Sequence, residues 1–149
     1  KEALADSIFR QTEKSYLDLK QLVTADMPRP TVISEKKFGA SWFMPAGDSY
    51  IANMYADAGA DYIFSDTQQS GSIPLSFETV LDRAQKADFW LIKYNQAKDK
   101  TYSELKSDYE PYTRFEAYVG SNGSVFCRQF ILGSGRHTLW CRNRHIEWT

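Results

Sequence analysis

The 149-residue chain is short of several things that would settle its class at once. It has no run of about 18 apolar residues, the length a membrane-spanning helix needs. Two cysteines, Cys127 and Cys141, are too few for a disulfide framework, and they leave the redox compartment open. No histidine precedes His137, and no glycine-rich loop ends in Lys-Ser or Lys-Thr. A nucleophile elbow is missing too, so common catalytic patterns lack their residues and no catalytic residue is assigned. A formal net charge of −1 removes the concentrated basic surface that nucleic-acid binding requires. The first residues, KEALADSIFRQ, lack the apolar core of a signal peptide, so any targeting segment is expected to have been removed or never present.

What is present is material for a core: 42% of residues are hydrophobic and 15% aromatic, enough for one ordinary domain or a large piece of a bigger one. Residues 1–25 contain neither Gly nor Pro, and Ala5, Phe9, Thr12, Tyr16, Leu19 and Val23 recur at helical steps. The pattern predicts one long amphipathic helix that stops before Pro28 and Pro30. Short apolar runs then alternate with helical segments. TVIS (31–34), DYIF (61–64), FWLIKY (89–94) and SVFC (124–127) read as strands. Residues 48–59, 76–87 and 101–107 read as helices, with Asp48, Ser76 and Thr101 as caps and Gly59 just past the end of the first. This alternation predicts a three-layer α/β/α arrangement around a mainly parallel sheet of about four strands. Residues 35–47, 65–75 and 95–100 are then the loops at the carboxyl ends of strands, where ligands gather in such sheets.

Trp42, Phe43 and Met44 fall in the first of these loops, followed by Pro45, Gly47 and Asp48. Two readings compete: a core patch folded back by the loop, or an apolar ligand platform. Asp48 likewise reads as a helix cap whose second carboxylate oxygen can stay exposed for another role. Tyr94 and Asn95 end a predicted strand and either face the crevice or finish the core. In DYEPYTRFEAY (108–118), Tyr109, Tyr112, Phe115 and Tyr118 recur every third residue, which favours packing on one face.

From Arg128 to Thr149 the composition shifts to four arginines, both histidines and one acid, Glu147. His137, Cys141 and His145 would share one face of a helix, and with Cys127 they form a candidate zinc set. Structural zinc sites favour closely spaced ligand pairs, so no metal ligand is assigned. A Cys127–Cys141 bridge is an alternative.

In order and spacing, RPTVIS…KKFGASWFMPAGDSYIANMYADAGADYIF…SIPLSFETVLDRAQKADFWLI…RFEAYVGSNGSVF resembles the C-terminal lobe of an ABC-transporter substrate-binding protein. The subgroup is the one built around a rigid backbone helix, whose members bind ferric siderophores, haem or cobalamin. The resemblance implies a connector helix over 1–27, a C-terminal α/β lobe over 28–127, and an atypical tail over 128–149. It implies a periplasmic, non-enzymatic component without a resident cofactor, lipid-anchored in the full-length protein, with a permease as partner and the first lobe absent. By the same resemblance Trp42, with Phe43 as a weaker candidate, contacts a large chelate ligand, and Asp48 docks on arginines of the permease; Tyr94 and Asn95, at the end of their strand, are added as ligand contacts on the crevice reading. The tail departs from the family, and an altered reading frame is one account of it. Rival readings are a metal protein or enzyme using the Cys/His tail, and a structural domain that self-associates through an exposed surface.

Overall fold

The computed structural model describes residues 2–92, 101–119, 138–141 and 144–147. Helix α1 (Glu2–Lys20) follows the long helical period, and none of its residues is buried. Leu4, Ile8 and Phe9 are each more than half exposed, so the apolar stripe is uncovered among the described residues. The C-terminal end of α1 alone is tied down. Tyr16 and Lys20 both bond to Asp57, at 2.7 and 2.6 Å. Lys20, and secondarily Tyr16, hold the Asp57 carboxyl below the usual carboxylate range. Val23 packs where a Cβ on Gly59 would stand 2.7 Å from its Cγ1, and Gly59 takes φ 77°, open to glycine.

Strands β1 (Thr31–Ser34), β4 (Asp61–Tyr62) and β6 (Phe89–Leu91) form a parallel sheet in the order β4-β1-β6. Val32 pairs with Tyr62 on one side and with Phe89 on the other, which sets the register. Asp88 fastens it: its carboxylate accepts from the Thr31 amide and hydroxyl at 2.8 and 2.7 Å. The fourth predicted strand (124–127) and residues 93–94 of the third lie outside the described residues, as do Tyr94 and Asn95.

The predicted loops 35–47 and 65–75 hold a second sheet. Strands β2 (Lys37–Phe38), β3 (Ser41–Pro45) and β5 (Ser72–Leu75) are antiparallel in the order β2-β3-β5. Trp42 opposes Leu75, Phe43 opposes Pro74 and Met44 opposes Ile73. Trp42 and Met44 are fully buried, whereas Phe43 between them is exposed, the period-two alternation of a half-buried strand.

Helix α2 (Tyr50–Asp57) is capped by Ser49, whose hydroxyl accepts from the Ala52 amide at 3.2 Å. Asp48 is therefore one residue outside the cap, a correction to the sequence reading. Its own amide is drawn away to the Gln69 carbonyl at 2.9 Å. The neighbouring Gly47 is required by crowding, since a Cβ there would lie 2.3 Å from the Ser65 carbonyl oxygen. Helix α3 (Phe77–Ala84) starts at Ser76, and α4 (Tyr102–Asp108) carries the Thr101–Glu104 capping box, both as the sequence predicts. A 3-10 turn (Glu110–Arg114) and α5 (Glu116–Val119) bring Tyr112 and Phe115 into the core. In the tail, β7 (Thr138–Cys141) and β8 (Arg144–Glu147) form an antiparallel hairpin. Cys141 and His145 thus lie on two strands, not on one helical face.

Two outcomes follow. Ser49→Ala should lower unfolding stability by about 1 kcal/mol, while Asp48→Ala leaves it nearly unchanged, as read by urea melts. Tyr112 accepts from the Lys37 amide at 2.9 Å, and burial, as the largest cause, pushes its phenol up to about 12. A raised folded pKa means that the stabilisation is complete below the unfolded value of about 10 and is lost as pH rises toward the folded one. Tyr112→Phe should therefore cost about 1 kcal/mol at neutral pH and lose less stability than the parent chain in alkaline melts.

Candidate functional site

Strand β3 lies across the carboxyl ends of the parallel sheet. The Trp42 indole N–H donates to the Ser34 carbonyl, at the end of β1, over 3.1 Å. At the end of β4, the Tyr62 hydroxyl donates to the Pro45 carbonyl at 2.7 Å. Burial, above all, raises the Tyr62 pKa and keeps that donor protonated. Beyond β3, the Ala46 amide donates to Gly71 and the Gly47 amide to the Thr67 hydroxyl, at 2.9 and 2.7 Å. The second sheet is thus a cover over the strand ends, fixed on its inner face by Trp42, Met44 and Ile73.

Its outer face carries Phe43 at 47% exposure, Phe38 at 80% and, opposite Phe43, the exposed Pro74. Phe38 pairs with Ser41, which shares the outward side with Phe43. These three apolar groups form a platform at the place where an α/β sheet offers its ligand crevice.

Trp42 does not belong to that platform, which corrects its expected ligand contact. It is fully enclosed, with Trp90, Tyr112 and Phe115 at ring-centroid distances of 5.4, 5.6 and 5.7 Å. The side chain that points outward is the next one, Phe43. Sequence reading missed Phe38 and Pro74 because it took both segments as loops; the alternation within SWFMP was the available signal.

A second feature concerns the backbone between the two sheets. Glu35 has φ 63°, the one positive-φ residue other than glycine among the described residues. Its amide donates to the Leu91 carbonyl at 2.9 Å, and its carbonyl accepts from the Trp90 indole at 2.6 Å. With Trp42 on the Ser34 carbonyl and Tyr112 on the Lys37 amide, three core aromatic residues hold residues 34–37. Lys36 bonds to Asp108 at 2.8 Å, and Lys37 lies over the Tyr109 ring and donates to the Gly39 carbonyl.

Asp48 stands at the entrance to α2, exposed, and its carboxylate has no hydrogen-bond or ion-pair partner among the described residues. No group of three metal-ligating side chains occurs among the described residues, and no described helix is long and apolar enough to cross a membrane.

Three relatives bear on this arrangement. An uncharacterized lipoprotein of Methanocaldococcus jannaschii is 30% identical over 130 residues, covering 85% of this chain and 30% of the relative. A possible iron-binding (periplasmic solute-binding) protein from Staphylococcus epidermidis shares the fold at TM-score 0.60 and 17% identity, over 80% of this chain and 44% of that one. An ABC transporter substrate-binding protein from Listeria monocytogenes does so at TM-score 0.55 and 16% identity, over 78% and 45%. The chain spans less than half the length of each of these relatives. A family model described as periplasmic binding protein matches residues 1–122, most of the chain, and with it the long helix, the parallel sheet and its cover. The chain belongs to the periplasmic binding protein family.

Proposed function

We propose that the chain is one lobe of the extracytoplasmic solute-binding component of an ABC importer, acting by capture and handover without catalysis. The observation that carries this reading is the uncovered apolar face of Phe38, Phe43 and Pro74 across the carboxyl ends of a parallel sheet. A platform of that kind suits a large, partly apolar chelate: a ferric siderophore, haem or a cobalamin-like molecule. Phe43 supplies the central contact through stacking and apolar burial. Tyr94 and Asn95, outside the described residues, remain proposed ligand contacts. Trp42 serves the face from below, as the anchor of β3.

The uncovered stripe of α1 supports its role as a connector helix, with the partner lobe resting along Leu4 and Ile8. In this reading the longer protein is held at the membrane by a lipid anchor, as the lipoprotein relative suggests. Asp48 is the permease-docking charge. A rim carboxylate paired with basic groups favours orientation and association rate more than affinity.

The test titrates the 149-residue chain with haemin, ferrichrome and cyanocobalamin, following the indole N–H signals by NMR so that weak binding is seen. Phe43→Ala should weaken capture roughly three- to tenfold with an unchanged melting temperature. Trp42→Ala should instead lose about 3–5 kcal/mol of stability. Saturable binding of none of the three, or a Phe43→Ala variant that binds unchanged, overturns the reading. Asp48→Ala should titrate like the parent chain but lower transport in cells carrying the permease.

A further inference from the structure

Helix α3 and the 3-10 turn border a groove of about 360 Å³, to which Phe38, Phe43 and Pro74 contribute nothing. Its apolar lining includes Phe77, Leu81 and Tyr109, and its charged lining is Glu78 and Asp82 from α3 and Arg114 from the turn. The packing beneath sets its width. The Phe77 ring meets Tyr109 edge-on at 5.0 Å and Phe115 at 5.9 Å. Where α3 ends, the Glu116 amide donates to the Gln85 carbonyl at 2.8 Å. The core itself holds the two borders apart, so the groove is formed before anything enters it.

The charges along it do not serve the helix that carries them. Glu78 stands in the first turn of α3, where the helix dipole favours an acid, but Asp82 stands in the last, where it favours a cation. Four residues apart, the two acids share one side of the helix, and like charges so placed destabilise it. Neighbouring cations do not relieve them. Arg83 is committed to Asp66 and to the Ile63 carbonyl. Neither Lys86 nor Arg114 forms an ion pair with Glu78 or Asp82 among the described residues. Arg114 is exposed and has no ion-pair partner of its own there. Charges of both signs thus line one apolar groove without reaching each other.

We infer that this groove is a second small-molecule site, for a zwitterion with an apolar body, of the class of an apolar α-amino acid. The ammonium group meets Glu78 and Asp82, the carboxylate takes the planar donor pair of Arg114, and the side chain covers Phe77, Leu81 and Tyr109. A volume at the lower end of the range for ligand pockets suits a molecule of that size and is too small for a large chelate. The inference stands apart from the solute face and needs none of its residues.

The experiment titrates the 149-residue chain with L-phenylalanine, phenethylamine and 3-phenylpropanoate, following the backbone amide signals of residues 77–85 and 109–114 by NMR. Phenethylamine lacks the carboxylate and 3-phenylpropanoate lacks the ammonium group. L-Phenylalanine should bind saturably with a dissociation constant on the order of 1 mM, and each analogue about tenfold more weakly. Arg114→Gln should weaken L-phenylalanine about tenfold and leave phenethylamine unchanged. Asp82→Asn should weaken both of these about three- to tenfold while melting at or above the parent temperature. Absence of saturable L-phenylalanine binding overturns the inference. So does equal binding of the three probes, which would mark a merely apolar cleft, or binding that both variants leave unchanged. Phe43→Ala should not alter L-phenylalanine binding. A loss there would put the amino acid on the solute face and sink the groove as its site, whereas failure of the chelate titrations would leave the groove untouched.

Discussion

The fold turns on two indole rings that sit against each other and donate to consecutive carbonyls. Trp42 and Trp90 lie 5.4 Å apart, and their N–H groups reach the carbonyls of Ser34 and Glu35. A buried indole needs an acceptor for its one polar hydrogen, and a strand's last carbonyls are the acceptors that sheet pairing leaves over. The pair therefore has to stand at the carboxyl end of β1, and the segments that carry it must come there. Trp90 comes with β6 as part of the parallel sheet, whereas Trp42 pulls β3 across the sheet's end. Phe77, Tyr112 and Phe115 close around the same rings from α3, the 3-10 turn and the start of α5. One aromatic cluster thus sets both the core and the position of the candidate site.

That dependence explains which features could be read from sequence. Helix α3 and α4 announce themselves through Ser76 and the Thr101–Glu104 box, because caps are local chemistry. The run Tyr109, Tyr112, Phe115, Tyr118 was legible as packing for the same reason. Strands β2, β3 and β5 were not, since two to five residues interrupted by Gly39, Pro45 and Pro74 look like loop. The error then passed to the site. In a strand, a one-residue difference is a difference of face, so Trp42 and Phe43 exchange roles once β3 is recognised. Asp48 and Ser49 are both good cap residues, and what separates them is the bond from the Asp48 amide to Gln69, twenty-one positions away in the chain. No local pattern carries that information.

Helix α1 obeys different physics. It is a 19-residue helix anchored at one end, with Lys14 and Asp18 paired along its side and its apolar residues open to solvent. Helices of this length are marginal in water without a packed face. Among the described residues nothing covers the amphipathic stripe, so α1 lacks the packed face that usually stabilises a helix of this length.

An exposed aromatic sheet carries a hazard that the candidate site must manage. The cover sheet ends on two edges, and an open edge beside Phe38 and Phe43 would invite pairing with another chain. Strand β2 is only two residues long, too short to serve as a template. Strand β5 carries Pro74, which has no amide hydrogen and is tolerated in sheets chiefly at edges. The same proline lies opposite Phe43 and contributes its ring to the platform. Pro74 thus keeps the edge from extending while adding apolar surface to the face, and this lets three outward apolar residues stay uncovered without offering a strand template.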